Sequence, residues 1–227
     1  MTRQTLILAS GSPRRREFME RLGLPFAVRA ADVDEAGLPG ERPAELVARL
    51  SREKALHVAA RHPDAAVIGA DTIVTQEGRL LGKPAGPAEA AAMLARLRDR
   101  PHQVYSGVTV ASPACPAGQS AVVESTVWMR AYTDAKIAAY VAGGSPLDKA
   151  GAYGIQDDEM NPVARMEGCY ASVMGLPLCA LADLLRRCRP EDAASPPDVP
   201  AACRAVTGVA CCAGARAEWT LHKNAVE

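Results

Sequence analysis

The stretch ASGSPRRREF, residues 9–18, decides how this chain is read. Leu6–Ala9 just before it is a short apolar run fit for a buried strand. Ser12 suits an N-cap and Pro13 the first helical position. Phe18, Met19 and Leu22 then fall on one side at helical spacing, and Gly23 is placed to end the helix. A small-residue turn therefore joins a strand to a helix N-terminus, and three arginines follow at once. Exposed N–H groups and the helix dipole favour an anion at such a turn. The plainer alternative is a capped surface helix with a solvated arginine face. These residues alone leave both open.

Composition narrows the choice. The chain has 227 residues, 48% of them hydrophobic and 23% charged, which is enough for a globular core. Lys+Arg and Asp+Glu are both 26. With no global basic field, a nucleic-acid polymer is not an expected partner, and any anion site must be local. Aromatic residues make up only 4%, which argues against stacking platforms for single strands. No run approaches the length of a membrane span, and charges follow the LILA run too soon for a secretory leader. The seven cysteines are odd in number and lack paired spacing, so a reduced, cytoplasmic protein is expected.

Working outward, Phe26–Arg29 reads as a second strand and residues 30–42 as an acidic loop punctuated by Gly and Pro. Pro43 opens a helix to about Arg61. Ala65–Thr75 is a strongly apolar strand, followed by a turn, a short strand at Arg79–Leu81, and a helix from Pro87. His102–Ala111 and Ala121–Ala131 pair as strands, and Thr133 caps a short helix. GGSPLDKAGAYGIQ reads as a Gly-rich loop, Val163–Met174 as a short hairpin, and Pro177 as the start of a last helix. The mixture is that of an α/β domain over residues 1–189. Residues 190–227 shift to Ala, Pro and Cys, and read as a weakly structured tail whose middle is compatible with an Ala-rich helix.

Some polar residues stand where apolar ones belong. Asp71 lies within AAVIGADTIV, a run fit for burial, and a buried carboxylate needs a cation, a metal or a proton. Gly69 before it permits close approach by a neighbour or ligand. Lys54 shares the apolar row of its helix with Leu50 and Val58, which also suits a snorkelling side chain. Lys83 sits between Gly82 and Pro84. Asp34 and Glu35 occupy the acidic loop, and Asp148-Lys149 precede Gly151, Gly154 and Gln156. Together they offer carboxylates for a divalent metal, cations for phosphates and slim backbone, a set suited to a nucleoside polyphosphate.

LASGSPRR, REKA, GADT, GKP, DKAGAYGIQ and GLPL occur in this order over roughly residues 4–188. The pattern closely resembles the Maf family of nucleoside triphosphate pyrophosphatases. The resemblance implies a fold related to the inosine-triphosphate pyrophosphatases: an elongated mixed sheet flanked by helices, with a cleft between two lobes. It implies cleavage of a nucleoside triphosphate between the α and β phosphates, with a divalent metal cation (Mg, Mn or Co) as cofactor. It implies Asp71 as the catalytic proton acceptor and Arg14, Thr72 and Gln156 as specificity positions. Lys54 and Lys83 correspond to phosphate-contacting lysines, with Ser12, Arg14 and Arg15 forming a phosphate grip. Glu35, with Asp71, corresponds to the metal site.

The GIQ ending resembles the dTTP/UTP subgroup, with clearance of non-standard nucleotides as a further role. The segment after GIQ departs from the family, because DDEMNP stands where a Gly-rich run is common. Three acids there raise a pyrophosphatase for another, modified nucleotide as an alternative. A non-enzymatic nucleotide-sensing or cell-division-arrest protein is a second alternative, although a pure binder has no need of Asp71. The expected partner is the nucleoside triphosphate, without nucleic acid or membrane, and a homodimer is left open.

Overall fold

The apolar run AVIGADTIVTQ forms strand β3 (Ala66–Gln76), buried along most of its length. It organises the molecule, seen here in a computed structural model that describes residues 4–189, 197–210 and 220–222. One edge of β3 pairs antiparallel with β5 (Pro101–Ser112), from Val67 opposite Ala111 to Thr75 opposite Gln103. The other edge is shared. β1 (Leu6–Leu8) runs parallel beside Ala66 to Ile68, and β4 (Arg79–Leu81) antiparallel beside Val74 to Gln76. Between them, residues 69–73 have no strand partner on that edge among the described residues. β2 (Phe26–Val28) continues the sheet beyond β1, and β6 (Cys115–Met129) continues it beyond β5. β7 (Val163–Glu167) and β8 (Thr220–His222) both pair antiparallel with β6.

Alternation along the strands sends side chains to opposite faces. On one face Leu6, Leu8, Ala66, Ile68 and Ala70 pack with Phe18 and Met19 of α1 (Pro13–Arg21) and with α6 (Leu178–Cys188). On the other face Ile7, Ala9 and Val67 meet Val58 of α2 (Pro43–Ala59). A separate core forms farther along the same strands, where Val74, Val104 and Val127 pack with α3 (Pro87–Leu97) and α4 (Asp134–Ala142). These three cores, strung on shared strands, make an elongated mixed sheet with two lobes, as the resemblance implies. Among the described residues, no helix is long and apolar enough to cross a membrane.

Three sequence expectations change. Val163–Met174 is not a hairpin: β7 is followed by a single helical turn, α5 (Tyr170–Val173). Gly168 turns the chain at φ +106°, and the Cys169 thiol caps the turn by accepting from the Ser172 N–H. The Gly-rich segment before Gln156 is not all loop, since 3₁₀ turns occupy Ser145–Asp148 and Ala150–Ala152.

The expectation of a weakly structured tail is corrected over α7 (Val199–Thr207). Asp198 caps it by accepting from the Ala201 N–H, and Gly208 at φ +71° ends it. Val199, Ala202 and Cys203 are buried in the first core, with Val206 packed against it. That i, i+3, i+4, i+7 row between an Asp cap and a Gly stop is a helix signature that compositional bias hides. Residues 190–196, 211–219 and 223–227 lie outside the described residues, Cys211-Cys212 with them.

Candidate active site

The unpaired edge of β3 is where the site forms. β1 ends at Leu8 and the chain turns away through Ser10, Gly11 and Ser12 into α1. This leaves Asp71 and Thr72 lining a cleft beside a helix N-terminus, at the carboxyl end of a parallel strand, where open α/β sheets place ligands. The cleft is about 430 Å3. Ser12, Arg14, Arg15, Glu35, Lys54, Asp71, Thr72, Lys83 and Gln156 all line it, whereas Asp34 does not and instead accepts from the Ala36 N–H at 2.9 Å. Lys149, Asp148, Ser10 and Gly175 join them. Five cations face three carboxylates in this lining, which gives a net positive cleft in a chain of zero formal net charge.

Two glycines set α2 against the sheet. A Cβ at Gly69 would stand 2.1 Å from the Ser51 carbonyl oxygen, and one at Gly107 would stand 2.2 Å from that of Val47. The helix thus lies directly on the strands, and Lys54 comes over Asp71. Its Nζ donates to Asp71 Oδ1 at 2.5 Å, both side chains being under 10% exposed. The same ammonium lies 2.6 Å from Glu35 Oε1. Lys54 is therefore a buried bridge between two carboxylates, not a snorkelling side chain. It supplies the partner that a carboxylate out of water requires. Burial alone would raise the Glu35 carboxyl, but the hydrogen bond and charge of Lys54 outweigh it and hold the group below the usual range.

Glu35 reaches Lys54 because its loop is tied to α2. Arg49 donates to both oxygens of Glu41, at 2.7 and 2.8 Å, and to the Ala36 carbonyl at 2.9 Å. A bidentate guanidinium–carboxylate pair of this kind fixes geometry as well as charge. Arg49 was missed in the sequence; its only signal there is a cation one helical turn from Glu45 and Glu53.

The arginines of the opening turn divide their work. Arg14 is directed across the cleft to Asp148 at 3.3 Å, and Asp148 also takes a 2.6 Å bond from Lys149. Arg15 is turned to protein acceptors: Gly175 O at 2.9 Å, Ser10 Oγ at 3.0 Å and Thr72 Oγ1 at 3.3 Å. Burial pulls its guanidinium below the usual value, while Asp71 pulls the other way. Arg15 thus holds the turn, β3 and the Met174-Gly175 segment together. Ser12 occupies the N-cap position of α1 without a side-chain capping bond. The Gln156 amide has no hydrogen-bond partner among the described residues, although Lys149 and Gly154 are its neighbours.

A divalent metal can be tested against these residues. Among the described residues no group of three or more His, Cys, Asp or Glu is arranged to hold one. Glu35 and Asp71 do converge on a single point, now taken by the Lys54 ammonium. Two carboxylates fit Mg²⁺-type binding, in which water and substrate phosphates complete the shell. The acidic DDE segment adds no further ligand. Asp157 accepts from the Met160 N–H at 2.9 Å and from Ser145 Oγ at 3.3 Å, and neither it, Asp158 nor Glu159 lines the cleft.

A family model described as Maf-like protein matches residues 5–188. The chain belongs to the Maf family. Among curated relatives, a dTTP/UTP pyrophosphatase of Moorella thermoacetica is 50% identical over 182 residues, covering 79% of this chain and 93% of that one. One of Pelotomaculum thermopropionicum is 46% identical, covering 80% and 95%. One of Deinococcus radiodurans is 47% identical, covering 82% and 93%. Among solved structures, a HAM1 protein from Coxiella burnetii overlaps 57% of this chain and 74% of that one, at TM-score 0.41 and 19% identity. The fold of this Maf chain rests on its own strand register. The family match ends at Cys188, so α7 lies beyond it.

Proposed function

We propose that this chain hydrolyses dTTP and UTP to the nucleoside monophosphate and pyrophosphate. The observation that carries the reading is the buried Asp71–Lys54 pair, joined by the exposed Glu35, in a cleft with surplus positive charge. The names of the relatives, dTTP/UTP pyrophosphatase, point the same way.

In this reading the triphosphate lies along Ser12, Arg14, Lys54 and Lys83, with the base toward Thr72 and Gln156. Asp71 orients a water toward the α-phosphorus and takes its proton as the new P–O bond forms. The bond from the α-phosphorus to the bridging oxygen breaks, and pyrophosphate leaves with the bonding electrons. Lys54, Lys83 and Arg14 offset charge on the equatorial oxygens and the leaving group. Glu35 and Asp71 are the residues that would hold a divalent cation (Mg²⁺, Mn²⁺ or Co²⁺), which when bound neutralises phosphate charge and activates water. Nothing in the cleft favours the sensing role over this one. With DDE outside the lining, the reason for a modified substrate weakens too.

The test is release of pyrophosphate from UTP, dTTP, CTP, ATP and GTP, each with Mg²⁺, Mn²⁺ and Co²⁺. UTP and dTTP are expected to be cleaved best. Release of orthophosphate in place of pyrophosphate, or no release from any nucleotide, overturns the reading.

A further inference from the structure

Thr72 sits at the end of a directional chain of hydrogen bonds. Ser106, opposite Thr72 in the β3–β5 ladder, is fully buried. Its Oγ lies 2.7 Å from the Ser172 carbonyl oxygen and 2.7 Å from Thr72 Oγ1. A carbonyl has no hydrogen to give, so the single hydroxyl hydrogen of Ser106 goes to Ser172. The hydrogen between Ser106 and Thr72 must then come from Thr72. On its other side Thr72 accepts from Arg15 Nη2 at 3.3 Å. The competing acceptor for the Thr72 hydrogen, Gly175 O, is distant at 3.5 Å and already takes Arg15 Nε at 2.9 Å. Every hydrogen in this chain is committed away from the cleft. One lone pair of Thr72 Oγ1 remains for a ligand.

We infer that Ser106 is a positioning residue that makes Thr72 an acceptor only, and so selects a pyrimidine whose N3 carries a hydrogen. This rests on the reading above, which places the base against Thr72. Uracil and thymine present N3–H and O4 side by side, a donor and an acceptor. Cytosine presents N3 as an acceptor beside an amino donor. The Gln156 amide is without a partner among the described residues, so it is free to turn and serve either edge. Thr72 cannot reverse while Ser106 takes its hydrogen. Discrimination therefore resides in the buried relay more than in the amide. A site with fixed polarity rejects the mismatched edge because two lone pairs are left facing each other, unpaired and out of water.

The experiment compares kcat/KM for UTP and CTP in wild type, Ser106→Ala and Thr72→Val, with a thermal melt of each. Ser106→Ala frees the Thr72 hydroxyl to donate, so CTP is expected to gain at least about tenfold relative to UTP. Thr72→Val removes the acceptor, so UTP is expected to fall by about tenfold or more while CTP changes far less. The valine variant keeps the inference testable if loss of Ser106 prevents folding. A purely structural role lowers both substrates together and leaves the ratio where it was, and that result in both variants overturns the inference. Wild type that releases no pyrophosphate from UTP or dTTP overturns the pyrophosphatase reading and this inference with it. An unchanged ratio in an active enzyme overturns the inference alone.

Discussion

Gly107 lies directly opposite Asp71 in the β3–β5 ladder. It leaves the strand bare where α2 descends, and a Cβ there would meet the Val47 carbonyl at 2.2 Å. That contact is with backbone, so the helix itself would have to move. Gly107→Ala is expected to lower stability by about 1–3 kcal/mol, as overpacking does. It should also lower kcat/KM, because α2 carries Lys54 away from Asp71. Denaturant midpoints and pyrophosphate release measure the two effects. A variant with normal values for both would show that the seat of α2 does not place Lys54.

Asp71→Asn keeps the shape of the side chain but removes the proton acceptor and a carboxylate of the metal pair. Turnover is expected to fall by about 10²–10⁴-fold from loss of the base. Lys54→Met strands Asp71 as a charge out of water, at a cost of about 3–5 kcal/mol. The double variant, Lys54→Met with Asp71→Asn, removes both charges and should regain much of that stability while staying inactive. Melting curves around this cycle isolate the coupling between the two side chains. If the double variant is no more stable than Lys54→Met, the bridge is not what satisfies Asp71.

What was legible in the sequence follows from locality. The SGSPRR turn, the Asp71 strand and the helix from Pro43 are each specified within about twenty residues by capping, alternation and helical period. The resemblance supplied the long-range part, since no local rule brings Glu35, Lys54 and Asp71 to one point. Gly69 did read as a place of close approach, but that the neighbour is the Ser51 carbonyl depends on tertiary packing. Arg49 showed only a cation one helical turn from two glutamates, because its role comes from the Ala36 and Glu41 contacts of an irregular loop. Ser106 left no trace, because it acts through Thr72 and Ser172, distant in sequence. The α7 row was present but masked by Ala, Pro and Cys. The DDE segment read as a threat to a bound triphosphate because a sequence shows charge and not direction.

His102 gives the fold a pH dependence of its own. It is fully buried on β5, with Nε2 2.7 Å from the Tyr153 hydroxyl. Burial pushes its imidazole down to about 4, from an ordinary value of 6.5. Above about pH 6.5 the ring is neutral in both folded and unfolded chains and adds no slope. As pH falls from there toward 4, the unfolded chain takes up a proton that the folded one refuses, and stability drops by on the order of 3 kcal/mol in all. The Glu35 and Asp148 carboxyls, both held below their usual values, lose their contribution only at lower pH. His102→Gln keeps a polar group beside Tyr153 with nothing to titrate. Its denaturant midpoint should differ much less than that of wild type between about pH 7 and about pH 5. An unchanged slope would assign the effect to other groups.

Truncation tests the segment beyond the family match. Loss of periodicity after Pro190 and the end of the family resemblance there predict that residues 191–227 can be removed without consequence. The structure reverses that, because Val199, Ala202 and Cys203 are under 10% exposed within the core that also holds Phe18 and Met19 of α1. Burying a valine and two smaller side chains contributes on the order of 3 kcal/mol. Deleting residues 190–227 also uncovers the apolar groups that α7 shields on α1 and α6. The truncated chain is therefore expected to melt several degrees lower. Ala202→Glu in the full-length chain should reproduce most of that loss by placing a charge without a partner in the same core. Activity has a different expected pattern. α1 carries Arg14 and Arg15 into the cleft in its first turn, so loosening α1 should raise KM more than it lowers kcat. Comparing melting temperature, KM and kcat for the truncated chain and Ala202→Glu separates these effects. If both variants melt and turn over like wild type, α7 contributes nothing to the core it touches.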